Sequence, residues 1–252
     1  MKKLFIILSA FVLLCSFTGS RRVVTIYTIG DSTMANKSLE KENQERGWCM
    51  VLGEFLSGDI RVENHAVNGR STKSFIDEGR WDTVLNRLQK GDYVVIQFGH
   101  NDEKPREKVH TDPQTTFRAN LIRFVEEARS KGAKPILMNS IVRRKFSETD
   151  PARLTDTHGE YVVVPGVVAR ELKVPFVDAN ALTRDLVENY GPERSKELFM
   201  WIPAGKYEFA PDGKEDDTHL NVLGSHVVAK LLLDEMVRRV PKLKKYVIEA
   251  PL

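Results

Sequence analysis

The chain of 252 residues is 41% hydrophobic, 29% charged and 8% aromatic, with 38 Lys+Arg against 35 Asp+Glu for a formal charge of +3. This is a globular composition, which excludes collagen-like, disulfide-stapled and wholly disordered classes. The charge balance is too even to imply a nucleic-acid partner.

The chain starts with the cationic Met1-Lys2-Lys3, followed by the uncharged run Leu4–Leu14. A bilayer-spanning helix needs ~20 apolar residues, so this shorter run fits the core of a secretory signal. Small residues at Thr18-Gly19-Ser20 place cleavage after Ser20. Residues 1–20 are therefore expected to be a signal segment and 21–252 a single domain, secreted or periplasmic, with no membrane span in the mature protein. Cys15 offers a variant, lipid anchoring at a new N-terminal cysteine, although Leu14 stands where such signals usually have a small residue. Cys49 would then be solitary and is expected to pack as a small hydrophobe.

Downstream, short apolar runs alternate with longer amphipathic segments, and no repeat or long linker divides them. Val23–Ile29 and Tyr93–Phe98 read as buried strands that stop at Gly30 and Gly99. Ile60–Ala66, Lys134–Met138 and Val174–Val177 are shorter or weaker versions. Between them, Ser74–Leu88 has helical spacing. Asp112-Pro113 is an N-cap followed by proline at the first helical position, opening a helix that Lys131-Gly132 stops. Asn221–Arg239 is a last helix, with Val222, Val228, Leu231, Leu232 and Met236 on its apolar face. This alternation predicts an α/β fold, a three-layer α/β/α sandwich around a doubly wound parallel sheet of about five strands. In such folds ligands sit beyond the carboxyl ends of the strands.

Those ends carry the residues suited to chemistry. The first strand runs into Gly30-Asp31-Ser32, the second into Asn68-Gly69-Arg70-Ser71 and the third into Gly99-His100-Asn101-Asp102. Asp216-Asp217-Thr218-His219 precedes the last helix. A serine hydroxyl needs a base to accept its proton during attack, and His219 can take and return one. An aspartate three residues before it can hold the imidazole tautomer. Asp217 is the local competitor, and the residues alone leave Asp216 and Asp217 both open. No metal-ligand cluster stands out, and none is needed for this chemistry, so neither a metal nor another cofactor is expected.

Taken in order, G-D-S, a glycine, G-x-N-D and D-x-x-H resemble the four blocks of SGNH (GDSL-type) hydrolases. Gly99–Pro105 (GHNDEKP), Thr111-Asp112-Pro113, Val142–Phe146 (VRRKF), Asp156-Thr157-His158-Gly159 and Leu198–Trp201 (LFMW) are similar to the rhamnogalacturonan acetylesterase group of carbohydrate esterases. A departure is Gly47-Trp48-Cys49-Met50, where many relatives follow Gly-Trp with Gly-Gln. The resemblance implies a flavodoxin-like fold and a catalytic set of Ser32, His219 and Asp216. It also implies an oxyanion hole made by the backbone N–H groups of Ser32 and Gly69 and the side-chain amide of Asn101.

The expected function is an exported serine esterase that removes O-acetyl groups from a pectic polysaccharide, most simply rhamnogalacturonan, and acts as a monomer. Such a backbone is anionic, and arginine grips carboxylates in a bidentate manner. Arg70, Arg143 and Arg144 are thus expected substrate contacts. Trp201 is expected to offer a flat face to sugar rings, with Trp48 and Tyr207 as further aromatic candidates in loops. His100 stands inside the third block with a structural role as plausible as a substrate contact. His65, His110, His158 and His226 receive no role. The alternatives are an esterase of another acetylated glycan such as xylan, a lipase or thioesterase of the same fold, or a carbohydrate-binding protein with a degenerate site.

Overall fold

In the computed structural model, residues 22–248 are described, and the expected signal segment with Cys15 lies outside them. The first strand, β1 (Val24–Gly30), leads through the short helix α1 (Trp48–Val51) to β2 (Ile60–Asn64). Two short helices, α2 (Thr72–Asp77) and α3 (Arg80–Leu85), precede β3 (Tyr93–Gln97). Helix α4 (Arg118–Ser130), strand β4 (Lys134–Met138), helix α5 (Glu160–Glu171) and strand β5 (Phe176–Val177) continue the alternation. Helix α6 (Ala179–Arg194), an antiparallel pair β6 (Phe199–Ile202) and β7 (Lys214–Leu220), and helix α7 (Val222–Arg239) complete it.

The five parallel strands lie in the order β2-β1-β3-β4-β5. Strand side chains alternate between faces, and each face has its own core. Ile26, Val95, Ile136 and Met138 pack with Trp48, Leu52, Val228, Leu232 and Met236, beneath α1, α6 and α7. Ile29, Val94, Ile96 and Leu137 pack with Phe75, Phe117, Leu121, Phe124 and Val168, beneath α2 to α5. Burial on both sides is why the strands read as continuous apolar runs. The sheet winds one way from β1 to β2 and the other way from β3 onward. The crevice at this reversal lies beyond the ends of β1 and β3.

Several expectations need correction. The segment 74–88 is two helices, because the chain turns through a left-handed conformation at Gly79. The first of them starts earlier, where Ser71 and Ser74 form a reciprocal cap. Asp112 caps as expected, its carboxylate accepting from the N–H groups of Gln114 and Thr115. Trp48 is not a loop residue. It is fully buried in α1, with Nε1 donating to Gln97 Oε1 at 3.0 Å. Cys49 beside it is buried, and burial pushes its thiol well above the usual value. The stretch that departs from Gly-Trp-Gly-Gln is therefore partly core.

Candidate active site

Ser32 sits two residues beyond β1 in a tight turn, in which the N–H groups of Met34 and Ala35 donate to the Asp31 carbonyl at 3.2 and 3.1 Å. Gly30 makes room for this turn, since a Cβ there would lie 2.2 Å from Met34 Sδ and 2.5 Å from the Gln97 carbonyl oxygen. Asp31 is buried, and Oδ1 accepts from the Thr33 N–H and hydroxyl at 2.9 and 2.8 Å. Gln97, at the end of β3, donates to the Thr33 hydroxyl at 3.0 Å. The turn is thus tied to the next strand of the sheet and to Trp48 by way of that glutamine.

The second half of the site comes from the other end of the chain. His219 Nε2 is 2.9 Å from Ser32 Oγ, across a separation of 187 residues. His219 Nδ1 is 2.8 Å from Asp216 Oδ2. The carboxylate can only accept, so the ring proton lies on Nδ1 and Nε2 is left to receive the serine proton. Asp216 Oδ1 is held by the backbone N–H groups of Thr218 and His219 at 2.8 and 3.0 Å, and Lys214 Nζ lies 3.2 Å from Oδ2. Burial alone raises the Asp216 carboxyl, but hydrogen bonds from the His219 ring and backbone outweigh it. The group is held well below the ordinary carboxylate range.

These residues lie on β7, not in a loop before the helix. Of the two neighbouring aspartates Asp216 meets the His219 ring, whereas Asp217 is turned to other partners. Asp217 Oδ1 accepts from Arg144 Nη1 at 2.7 Å and from Trp201 Nε1 at 2.8 Å.

The three expected oxyanion donors follow β1, β2 and β3, and each has a proton to offer. Among the described residues, the backbone N–H groups of Ser32 and Gly69 have no acceptor in the protein. Gly69 has φ +75°, a left-handed conformation suited to glycine. Asn101 is 3% exposed, and Nδ2 donates one proton to the Arg70 carbonyl at 3.1 Å, leaving the second. Its Oδ1 accepts from Lys104 Nζ at 2.7 Å.

The arginines expected to meet substrate are engaged elsewhere. Arg144 has a side chain only 7% exposed. It donates to Ser195 Oγ, Asp217 Oδ1 and the Pro192 carbonyl, and its guanidinium carbon lies 5.0 Å from the Trp201 ring centroid. It clamps the β6–β7 pair and has no free edge for a substrate carboxylate. Arg143 is bound to Glu103 and to the Thr157 carbonyl and hydroxyl. Arg70 pairs with Glu78 and donates to the Asn68 carbonyl at 3.0 Å. Trp201 is placed differently. With Ile202, Lys196, Lys206 and Lys214 it lines an open cleft of about 570 Å³, while Tyr207 joins Trp201 along an adjoining one.

Two polar networks escaped sequence reasoning. His158 lies between Glu103 Oε2 at 2.8 Å and the Ile141 carbonyl at 3.2 Å, so its side chain ties the third block to the chain after β4. His100 stands edge-on to it with ring centroids 4.5 Å apart. Burial, with the nearby His158 and Arg143, pushes its imidazole well below the usual value, and among the described residues neither ring nitrogen has a hydrogen-bond partner. On the other flank, Lys37 contacts Asn68 Oδ1 at 2.6 Å and Glu45 at 2.8 Å, and Glu45 in turn reaches Lys214 at 3.2 Å. His100, Glu103 and Lys104 fall in the GHNDEKP stretch, His158 in Asp156-Thr157-His158-Gly159 and Asn68 in the block after β2, whereas Lys37, Glu45 and Lys214 carried no sequence signal. His226, given no role, bonds the Val222 carbonyl and Glu54 outside the catalytic cluster.

Comparison with known proteins shows the family and the fold. Residues 28–227 match the model of the GDSL-like Lipase/Acylhydrolase family. The chain is 41% identical over 214 residues to the rhamnogalacturonan acetylesterase RhgT of Bacillus subtilis (strain 168), covering 85% of this chain and 90% of that one. The crystal structure of protein YxiM from Bacillus subtilis superposes with a TM-score of 0.73 at 26% identity, covering 86% of this chain and 57% of that one. A mutant of Axe2, an acetyl-xylooligosaccharide esterase from Geobacillus, gives 0.61 at 23% identity, covering 84% and 94%, and shares the fold.

Proposed function

Because the chain belongs to the GDSL-like lipase/acylhydrolase family and is a carboxylic ester hydrolase, we propose that it removes O-acetyl groups from a pectic polysaccharide, rhamnogalacturonan, through Ser32, His219 and Asp216. The observation that carries this reading is the unbroken contact from Ser32 Oγ through the His219 ring to the Asp216 carboxylate, beside amide donors with free protons.

Ser32 Oγ attacks the acetyl carbonyl carbon as its proton passes to His219 Nε2. Asp216 stabilises the imidazolium from the Nδ1 side. The negative oxygen of the tetrahedral intermediate is received by the N–H groups of Ser32 and Gly69 and by the remaining Asn101 Nδ2 proton. Collapse expels the sugar oxygen, which takes the proton from His219, and leaves Ser32 acetylated. Water, deprotonated by His219, then attacks the acetyl-enzyme; the bond to Ser32 Oγ breaks as that oxygen takes the proton back from His219, and acetate departs.

The substrate assignment is supported by the 41% identity to a rhamnogalacturonan acetylesterase and by the open cleft flanking Trp201. There the Lys206 ammonium, in the cleft beside Trp201, suits sugar rings bearing carboxylates. These residues replace the three arginines as candidate substrate contacts. Export belongs to the same reading, with residues 1–20 removed as the signal segment. Among the described residues no helix is long and apolar enough to cross a membrane.

The test compares acetate release from acetylated rhamnogalacturonan, acetylated xylan and long-chain acyl thioesters, with fluorophosphonate adducts located by mass spectrometry. The expected result is preference for rhamnogalacturonan and labelling at Ser32. Equal or faster turnover of the thioesters would reject the polysaccharide assignment, and an unlabelled Ser32 would reject the mechanism.

A further inference from the structure

Each of the three amides that offer a proton to the oxyanion has its own carbonyl oxygen occupied by a donor. The Ser32 N–H belongs to the peptide whose oxygen, that of Asp31, accepts from Met34 and Ala35 N–H. The Gly69 N–H belongs to the peptide whose oxygen, that of Asn68, accepts from Arg70 Nη1 at 3.0 Å. The Asn101 side-chain oxygen accepts from Lys104 Nζ at 2.7 Å. Two of the three are therefore capped by cations.

An amide is one conjugated unit. A positive donor at its oxygen draws electron density from nitrogen and makes the N–H a stronger donor. Such chains strengthen one another by ~10–30% per bond, and charged donors form bonds about twice as strong as neutral ones. The gain is largest when the N–H faces an oxyanion, so it acts on the transition state more than on bound ester.

We propose that Lys104 is a positioning residue for ester hydrolysis, orienting the Asn101 amide and polarising it toward the oxyanion. This rests on the esterase reading above. An ammonium group has only donors, so the Asn101 atom beside it must be the oxygen. That directs Nδ2, with its uncommitted proton, to the opposite side. The lysine is held in place by a turn in which its backbone N–H donates to the Asn101 carbonyl at 3.1 Å. The adjacent Glu103 carboxylate is committed to Arg143 and His158, so it leaves the Lys104 charge directed at Asn101. Arg70 is the weaker partner because Glu78 pairs with its guanidinium.

The experiment is a double-mutant cycle on the purified protein, with p-nitrophenyl acetate as substrate. Lys104→Met is expected to lower kcat roughly 10-fold, short of the ~10²–10³ for Asn101→Ala, with KM within about twofold. Lys104→Arg restores most of kcat, and Lys104→Gln, a neutral donor that keeps the contact, falls between. In the Asn101→Ala background, Lys104→Met adds less than about twofold, since the amide through which it acts is gone. Wild-type kcat in both Lys104→Met and Lys104→Gln would overturn the proposal. So would a Lys104→Met effect of undiminished size without Asn101, which would assign the charge a direct or structural role. Ser32→Ala with wild-type hydrolysis would overturn the esterase reading itself, which a silent lysine variant leaves standing.

Discussion

The two halves of the candidate site are built from unlike material. Ser32, Gly69 and Asn101 stand at the ends of β1, β2 and β3, where the β3 side chains are all buried and the turns are tied down by buried Thr33 and Gln97. Asp216 and His219 stand on β7, whose sequence KEDDTHL buries only its last residue. Dispersion and hydrophobic burial fix the first half. The second is fixed by charge: Arg144 and Trp201 on Asp217, Lys214 on Asp216. The proposed nucleophile thus rests on the sheet, while its proposed base is presented by an ion-paired ribbon, and the two halves should fail in different ways.

The largest expected effect separates two neighbours on that ribbon. Asp216→Asn should lower kcat/KM by ~10⁴, as loss of the group orienting a catalytic histidine does. Asp217→Asn should stay within about threefold, since an amide oxygen still accepts from Arg144 and Trp201. Comparable losses in both would erase the distinction drawn from their directions.

An intermediate effect is expected at Arg144, which touches neither Ser32 nor His219. Arg144→Met should destabilise by about 1–3 kcal/mol, less than the ~3–5 kcal/mol of a fully buried pair because the Asp217 side chain is 42% exposed. It should also lower kcat roughly 10-fold by loosening the ribbon. Thermal denaturation and steady-state kinetics on one preparation check both. Full activity with unchanged Tm would show that the ribbon holds without its arginine.

The smallest effect is a pH dependence. The folded Asp216 carboxyl titrates below its ordinary value of 3.8, so the folded state binds fewer protons than the unfolded one in that range. The stability this contributes is fully present above about pH 5 and is lost as the pH falls through the folded value. The Tm difference between wild type and Asp216→Asn should therefore narrow from pH 7 to pH 3. A constant difference would place the effect of the substitution in packing rather than in charge.

The same contrast explains what was legible in the sequence. Lys134–Met138 emerges with the expected boundaries, and β1 and β3 within a residue or so, because strands buried on both faces must be apolar throughout. The β6–β7 pair was missed because β6 is only four apolar residues long and the polar β7, KEDDTHL, has no hydrophobic period to detect. Helix α5 was missed because its valine-rich start and internal Pro165 both argue against a helix locally. The Ser32, His219 and Asn101 positions were legible as motif residues. Arg144 was misassigned because its partner Asp217 lies 73 residues onward, and nothing near Arg144 in the chain announces that its charge is spent inside the protein. Lys104 was overlooked for a milder reason: a lysine in a polar turn is ordinarily solvated, and only its distance to Asn101 Oδ1 distinguishes it.

The span of 187 residues between Ser32 and His219 has a consequence for the timing of activity during synthesis. A nascent chain ending between residues 178 and 218 already contains all five parallel strands, the serine and the proposed oxyanion amides, yet lacks His219, the proposed base. On the proposed mechanism, hydrolytic competence is withheld until the closing ribbon docks, and every shorter intermediate, however well formed its sheet, is chemically silent.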